Sequence, residues 1–218
     1  MHLKRKAIPK SWPLARKTVE RYVTKGTGSR PSKTSIPLIV VLRDMLKVLS
    51  TGSEAKKILR AGEIMIDNKI VKDEKFKVGL FDRIYIKKID KLFTLELKNK
   101  KMEAVEIRKE EKDKKPAKVI GKRSLDEKTT QINLYDGKNI AMSTKDAGQI
   151  SVGDSAVINL GEIKIEKILK LEKGANVFVT GGKHQGEKGK VISMDRDIVI
   201  KNEKEFRASK QNIFVIEK

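Results

Sequence analysis

The longest unbroken aliphatic run in the chain, Leu38 to Leu42, is five residues and ends at Arg43. That is far short of the ~20 apolar residues a membrane span needs. With 38% hydrophobic and 5% aromatic residues over 218 positions, the chain can build modest cores in one to three small domains, not one large core around a deep apolar pocket. Lysine and arginine number 50 against 29 aspartates and glutamates, a formal charge of +21. A surplus of that size calls for a polyanionic partner. There is no cysteine, and His2 and His184 are the two imidazoles, so thiolate chemistry, disulfide scaffolding and zinc sites built on Cys or clustered His are excluded. The basic stretch His2-Leu3-Lys4-Arg5-Lys6 lacks the apolar core and cleavage site of a signal peptide, and a cytoplasmic location is expected.

Residues 1–35 form a basic arm. Its ten cations, Lys4, Arg5, Lys6, Lys10, Arg16, Lys17, Arg21, Lys25, Arg30 and Lys33, stand against one acid, Glu20, a local surplus of +9. Pro9, Pro13, Gly26, Gly28 and Pro31 interrupt any long periodicity, so the arm is expected to be mostly irregular, with at most a short helix near 14–23, and mobile on its own. Trp12 and Tyr22 among the cations suit a segment that stacks on bases and binds phosphates, Trp12 being the expected stacker.

Residues 36–91 read as two helices and a small sheet. Pro37 suits a first helical position, and Leu38, Val41, Leu42, Met45, Leu46 and Leu49 recur at helical spacing. Thr51-Gly52-Ser53-Glu54 is a capping box that opens a second helix, closed by Gly62 after Arg60. Glu63 to Ile66, an Asp67-Asn68 turn and Ile70-Val71 predict a hairpin, and Arg83 to Ile86 a further strand. Arg43 and Lys47 lie four apart on the first predicted helix, and Lys56, Lys57 and Arg60 on neighbouring positions of the second, so the pair can present one cationic surface.

Beyond a mixed-charge run at 108–116, expected to be a loop or linker, strands are predicted at 131–135, 138–142, 155–160 and 163–171, with an Asp136-Gly137 turn. These define a central β domain, 92–172. Residues 173–218 hold short strands at 176–180, 189–192, 197–201 and 212–216, a spacing that suits a small barrel. Phe81, Phe178 and Phe214 fall in apolar strand patterns and are assigned to cores.

The loop Thr180-Gly181-Gly182-Lys183-His184-Gln185-Gly186-Glu187-Lys188-Gly189 invites a phosphate-cradling reading. It fails the nucleotide-loop test, because Gly186 is followed by Glu187 and Lys188 where Lys and then Ser or Thr are required. Carboxylates sit mostly in charge runs, and no nucleophile is spaced to a base. No catalytic residue, metal site, cofactor or small-molecule substrate is expected. Lys183, His184, Lys188 and Lys190 instead surround the loop with donors for RNA backbone or a neighbouring protein.

Two segments carry a resemblance. Ser53 through Val71 (SEAKKILRAGEIMIDNKIV) resembles the alpha-L RNA-binding module of bacterial small-subunit ribosomal protein four, some pseudouridine synthases and tyrosyl-tRNA synthetases. Val177–Ile192 (VFVTGGKHQGEKGKVI) resembles a KOW motif in a small SH3-like barrel. Their order, behind His2-Leu3-Lys4-Arg5 and Ile36-Pro37-Leu38 and before Asn212 to Ile216, is similar to the small-subunit ribosomal protein four family of the e type, in its archaeal form, and the likeness spans essentially the whole chain. The resemblance implies an α+β, multi-module protein: basic arm 1–35, alpha-L module 36–91, central β domain 92–172 and KOW barrel 173–218. It implies a ribosome-bound structural protein whose partners are small-subunit rRNA and neighbouring small-subunit proteins, and whose RNA contacts include His2 with the cations of the arm, both helices and the glycine loop. The family's eukaryotic members carry a C-terminal extension, none follows Lys218 in this sequence, and an archaeal form is therefore expected; His184-Gln185 stand where smaller or less polar residues are common.

Two other functions use the same modules. An RNA-modifying enzyme would need a catalytic domain, for which roughly 92–172 is too short and too poor in candidate groups. A transcription-elongation factor built on the KOW barrel would leave the alpha-L module and the arm unexplained.

Overall fold

The computed structural model describes residues 3–28, 30–194, 197–202 and 204–216. They form two compact units, Met1–Asp113 and Lys114–Lys218. Both are mostly antiparallel β-structure, and among the described residues the longest helix, Gly52–Arg60, has nine residues.

That helix forms from local signals. Thr51 Oγ1 accepts from the Glu54 N–H at 3.2 Å, and Glu54 Oε2 reaches back to the Ser50 N–H at 3.0 Å. Two backbone donors at the helix start are thereby satisfied. At the other end the Glu63 N–H donates to the Ile58 carbonyl at 3.3 Å and the Gly62 N–H to Leu59 at 3.1 Å, with Gly62 at φ 73°. This paired closure needs a left-handed residue, which glycine supplies without a Cβ penalty. The expected hairpin follows: Ile64–Ile66 pairs with Lys69–Ile70 around Asp67 and Asn68, both at positive φ as a tight primed turn demands.

The segment before it departs from the expected amphipathic helix. Leu38–Val40 is one α-turn, and Val41–Met45 widens into a π-turn in which the Leu46 N–H donates to the Val41 carbonyl at 2.9 Å. Lys47, at φ 53°, ends it. Leu38 to Leu42 are all buried, so this element is not two-faced but enclosed on every side. Each of those side chains removed from water contributes about 1.5–3 kcal/mol, which outweighs the poorer hydrogen-bond geometry of a wide turn.

A five-stranded antiparallel sheet, in the order Lys69–Ile70, Ile64–Ile66, Arg83–Ile86, Lys91–Lys98, Lys101–Ile107, makes the body of this unit. The expected domain boundary at 91/92 falls inside it. Leu92 pairs across from Tyr85, and Leu92, Leu95, Leu97 and Met102 are buried with Ile84 and Ile86. The chain passes to the second unit at Lys114, where Lys114–Ser124 takes up a strand through Pro116, within what reads as a loop in the sequence.

The arm also belongs to the first unit, contrary to the expectation of a mobile tail without a core. Leu3–Lys4 pairs with Tyr22–Val23, and no helix forms near 14–23. Ile8 and Trp12 are buried. The Trp12 indole N–H lies 3.0 Å from both the Ser32 and Ser35 carbonyls, and the Met102 N–H donates to the Ser11 carbonyl at 2.7 Å. Arg30 pairs with the fully buried Asp82.

In the second unit, Lys114–Ser124 is the hub. Its first half pairs with Ser155–Asn159 and its second with Thr129–Leu134, the register shifting between Val119 and Gly121. Asn139–Ser143 and Lys164–Leu169 complete this sheet at its two edges. The last sheet runs Glu205–Ala208, Ile198–Lys201, Lys188–Met194, Asn176–Val179, Ile213–Val215. Val177, Val179, Val191, Ile200, Ile213 and Val215 form its core, and Phe81, Phe178 and Phe214 are buried in their units as expected. Buried Lys118 reaches this sheet's last turn, its Nζ donating to the carbonyls of Lys210, Gln211 and Ile213 at 2.8, 2.9 and 2.7 Å.

Candidate nucleic-acid interface

The first cationic surface is the exposed side of Gly52–Arg60. Ala55 and Leu59 face the core, which leaves Lys56, Lys57 and Arg60 in solvent, as their spacing predicts. Lys56 is loosely held by Glu74 at 3.7 Å. The expected partners on the preceding element do not complete this face. Arg43 clamps its neighbour Asp44 with two bonds of 3.0 and 2.9 Å. That hydrogen bonding raises the guanidinium pKa despite the opposing effect of burial. Lys47, exposed, follows the π-turn in a left-handed conformation, so the four-residue spacing to Arg43 no longer means a shared helical face.

The second surface lies on the C-terminal sheet. Lys188 and Lys190 alternate with Gly189 and Val191, so both cations leave on one face while Val191 enters the core. Lys190 stands directly opposite Lys201, and Lys201 in turn opposite Glu205. Like charges facing each other across a ladder destabilise it unless an anion lies over them. Gly189 is fixed by sterics: a Cβ there would sit 2.6 Å from Ile200 Cγ2 and 2.7 Å from the Lys201 carbonyl oxygen. Only glycine lets these strands approach closely enough to bring the two lysines side by side. Asn176, Lys188, Lys190, Lys201 and Asn202 line a groove of about 680 Å³ on this sheet.

The glycine loop above the sheet is closed by its own contacts. Its chain turns through Gly182 and Gly186 at φ 90° and 93°, and the Thr180 N–H donates to the Asn212 carbonyl at 2.7 Å. His184 stacks on Phe206 with ring centroids 4.4 Å apart and meets Glu187 at 3.0 Å. Its imidazole, expected among the RNA contacts, is engaged in holding the loop to the sheet. Lys183 remains exposed at the loop's edge.

The third surface is the arm, whose cations divide by role. Arg5 is buried, donating to the Ala15 carbonyl at 3.0 Å and to Glu20 at 2.6 Å; Arg16 donates to the Ile8 carbonyl at 2.7 Å. Lys4, Lys6, Lys10, Arg16, Lys17, Arg21, Lys25 and Lys33 are exposed, and Arg30 is half-buried against Asp82. His2 lies outside the described residues. Trp12, expected to stack on bases, is 3% exposed and cannot offer a ring face to a ligand. The aromatic ring that the arm does present is Tyr22, 53% exposed. The sequence offers Tyr22 beside Trp12, as the lesser stacker of the two; Lys201 and Asn202 are not singled out as contacts by their sequence pattern, because strand pairing is what brings them beside the cations.

Among the described residues there is no cluster of metal-ligating side chains, and no helix is long and apolar enough to cross a membrane. The comparisons with known proteins bear on the same regions. The description "Ribosomal family S4e" matches residues 92–165, and "S4 domain" matches residues 36–84. Small ribosomal subunit protein eS4 of Archaeoglobus fulgidus is 36% identical over 217 residues, covering 100% of this chain and 86% of that protein. Its counterpart from Methanocella arvoryzae is 35% identical over 226 residues, covering 100% of this chain and 94% of that protein. The crystal structure of the 30S ribosomal protein S4e from Thermoplasma acidophilum superposes with a TM-score of 0.73 at 25% identity, covering 84% of this chain and 95% of that one.

Proposed function

Because the chain belongs to the ribosomal S4e family, it is a structural constituent of the small ribosomal subunit, and we propose that it grips rRNA through three separate cationic surfaces. These are the helix face of Lys56, Lys57 and Arg60, the sheet face of Lys188, Lys190 and Lys201, and the folded arm. Its role is structural, not enzymatic, its place is the ribosome in the cytoplasm, and its partners are rRNA and the small-subunit proteins beside it. The S4 domain is read as an alpha-L module and the C-terminal sheet as a KOW-type SH3-like barrel, with the capping box, the Asp67-Asn68 hairpin and the Gly181–Gly189 loop supporting that reading. The observation that carries the proposal is the facing pair Lys190 and Lys201, a like-charge arrangement whose repulsion a phosphate backbone relieves.

The test is the salt dependence of binding to small-subunit rRNA. Reversing Lys56, Lys57 and Arg60 to glutamate is expected to lower affinity and to flatten the slope of log K against log salt by roughly 0.7–0.9 per lost phosphate contact. Folding should survive, since none of the three side chains enters the core. A triple variant with the wild-type slope would remove this helix from the interface.

A further inference from the structure

We propose that residues 3–23 form a receptor for one unpaired RNA nucleotide, with the Tyr22 ring as the platform for its base. The proposal rests on the rRNA-binding role above and adds to it a subsite of stated chemistry.

Pairing of Leu3–Lys4 with Tyr22–Val23 brings the two ends of this segment together, and between them lies a cavity of about 840 Å³. That is within the size range of pockets that enclose small organic ligands, about 300–1,000 Å³. Lys4, Lys6, Arg16, Lys17 and Arg21 line it. The one carboxylate in the wall, Glu20, is held by Arg5 at 2.6 Å. The cavity is therefore cationic on more than one side, which suits the phosphates flanking a nucleotide within a strand.

A second observation comes from the wall itself. Arg5 is nine-tenths buried, its backbone N–H donates to the Arg21 carbonyl at 2.9 Å, and its Nη atoms hold Ala15 and Glu20. Its Nε has no hydrogen-bond partner among the described residues. Arg5 lines the cavity, and a buried guanidinium donor without an acceptor in the protein is a group whose bonding the fold leaves incomplete at that wall. At the rim, Tyr22 is 53% exposed and Val19 101% exposed, while Ile8, Trp12 and Val23 of the same segment are buried. A ring beside cations takes a base by its face whatever its identity, while a paired base in a duplex keeps its faces hidden. An unpaired nucleotide fits this combination; a duplex would use the cations alone.

The experiment compares two probes on the full-length chain by fluorescence anisotropy: a single-stranded oligoadenylate of about ten nucleotides and an RNA duplex of about 16 base pairs. Tyr22→Ala is expected to weaken the single strand roughly 5- to 150-fold. Duplex binding should be unchanged, and so should the salt slope of either probe, because no phosphate contact is removed. Tyr22→Phe should restore single-strand affinity. A 4-thiouridine placed in the single strand should crosslink within 16–22 of the wild-type chain. Equal single-strand affinity for Tyr22→Ala and wild type would overturn the nucleotide subsite, and so would an equal loss on both probes. Failure of the wild-type chain to bind small-subunit rRNA at all would instead strike at the rRNA-binding reading on which the subsite rests.

Discussion

The arm and the C-terminal sheet carry the same kind of charge on opposite kinds of support. In the sheet, backbone ladders and an aliphatic core fix the fold, and Lys188, Lys190 and Lys201 ride on outward positions that the core does not need. Among the described residues of the arm, the ladder that closes it on itself is two residues long, and shape comes from single side chains reaching distant carbonyls: Arg5 to Ala15, Arg16 to Ile8, Trp12 to Ser32 and Ser35. Some of the arm's cations are thus framework and some are binding surface, whereas the sheet separates the two tasks. Charge composition alone does not distinguish these cases; the partner of each cation does.

The largest expected effect tests the arm's dependence on single residues. Replacing a buried tryptophan by alanine costs about 3–5 kcal/mol, and at Trp12 it also strands the carbonyls of Ser32 and Ser35. Trp12→Ala should free the arm while leaving the five-stranded sheet in place. Trypsin should then cut at Arg16, Lys17 and Arg21 well before the rest of the chain, and faster than in the wild type. Equal cleavage rates in the two proteins would mean that Trp12 does not hold the arm down.

This contrast also explains which parts of the molecule could be read from sequence. The helix Gly52–Arg60 and its hairpin were legible because their determinants, Thr51, Glu54, Gly62, Asp67 and Asn68, act within four or five residues of the groups they satisfy. The strands at 129–134, 139–143 and 176–179 were legible from alternation and turn residues. The arm was not, since the acceptors of Trp12 lie twenty and twenty-three residues along the chain. Nor was the π-turn, because Leu38 to Leu49 satisfy helical spacing and the reversal at Lys47 leaves no mark in it. The allegiance of Lys91–Ile107 depends on pairing with Arg83–Ile86, which adjacency suggests but alternation cannot decide. The same holds for the site: Lys190 was visible beside its glycine, but Lys201 became a partner only through strand register.

A smaller effect sharpens the comparison by locating one arm-like support within the second unit. Lys118 alone joins the carbonyls of Lys210, Gln211 and Ile213. Lys118→Met should destabilise by about 2–4 kcal/mol, since three acceptors lose a charged donor. The loss should also depend on pH. Burial, and then the nearby charge of Lys210, bring the Lys118 pKa down to about 8, against ~10.4 for an unfolded lysine. Between these values the unfolded chain binds more protons, so the contribution of this group rises with pH across that window and is lost as pH falls through about 8. Discounted for residual solvent screening, the increment is on the order of 1 kcal/mol. Denaturant titrations of both proteins should show the gap between them widening from about pH 7 to about pH 10. A gap that stays flat across that range would mean that the carbonyls hold the ammonium protonated throughout.

The smallest effect asks whether the sheet's cations are in fact separable from its fold. Lys190 faces Lys201 on one side and Asn176 on the other, and Val191 beside it carries the core contacts. Lys190→Glu replaces a repulsive cross-strand pair by an attractive one without touching an apolar side chain. The free protein should gain about 0.2–1 kcal/mol. Binding to small-subunit rRNA should weaken at the same time, and its salt slope should fall by roughly 0.7–0.9. Opposite signs for stability and affinity are what a surface kept for a polyanion produces, because the residue that is unfavourable in the free fold is favourable beneath a phosphate. Thermal unfolding and a salt titration on the same variant decide the matter. If stability fell and affinity held, Lys190 would be a framework residue like Arg5, and the distinction between the two regions would fail at the residue where it is most sharply drawn.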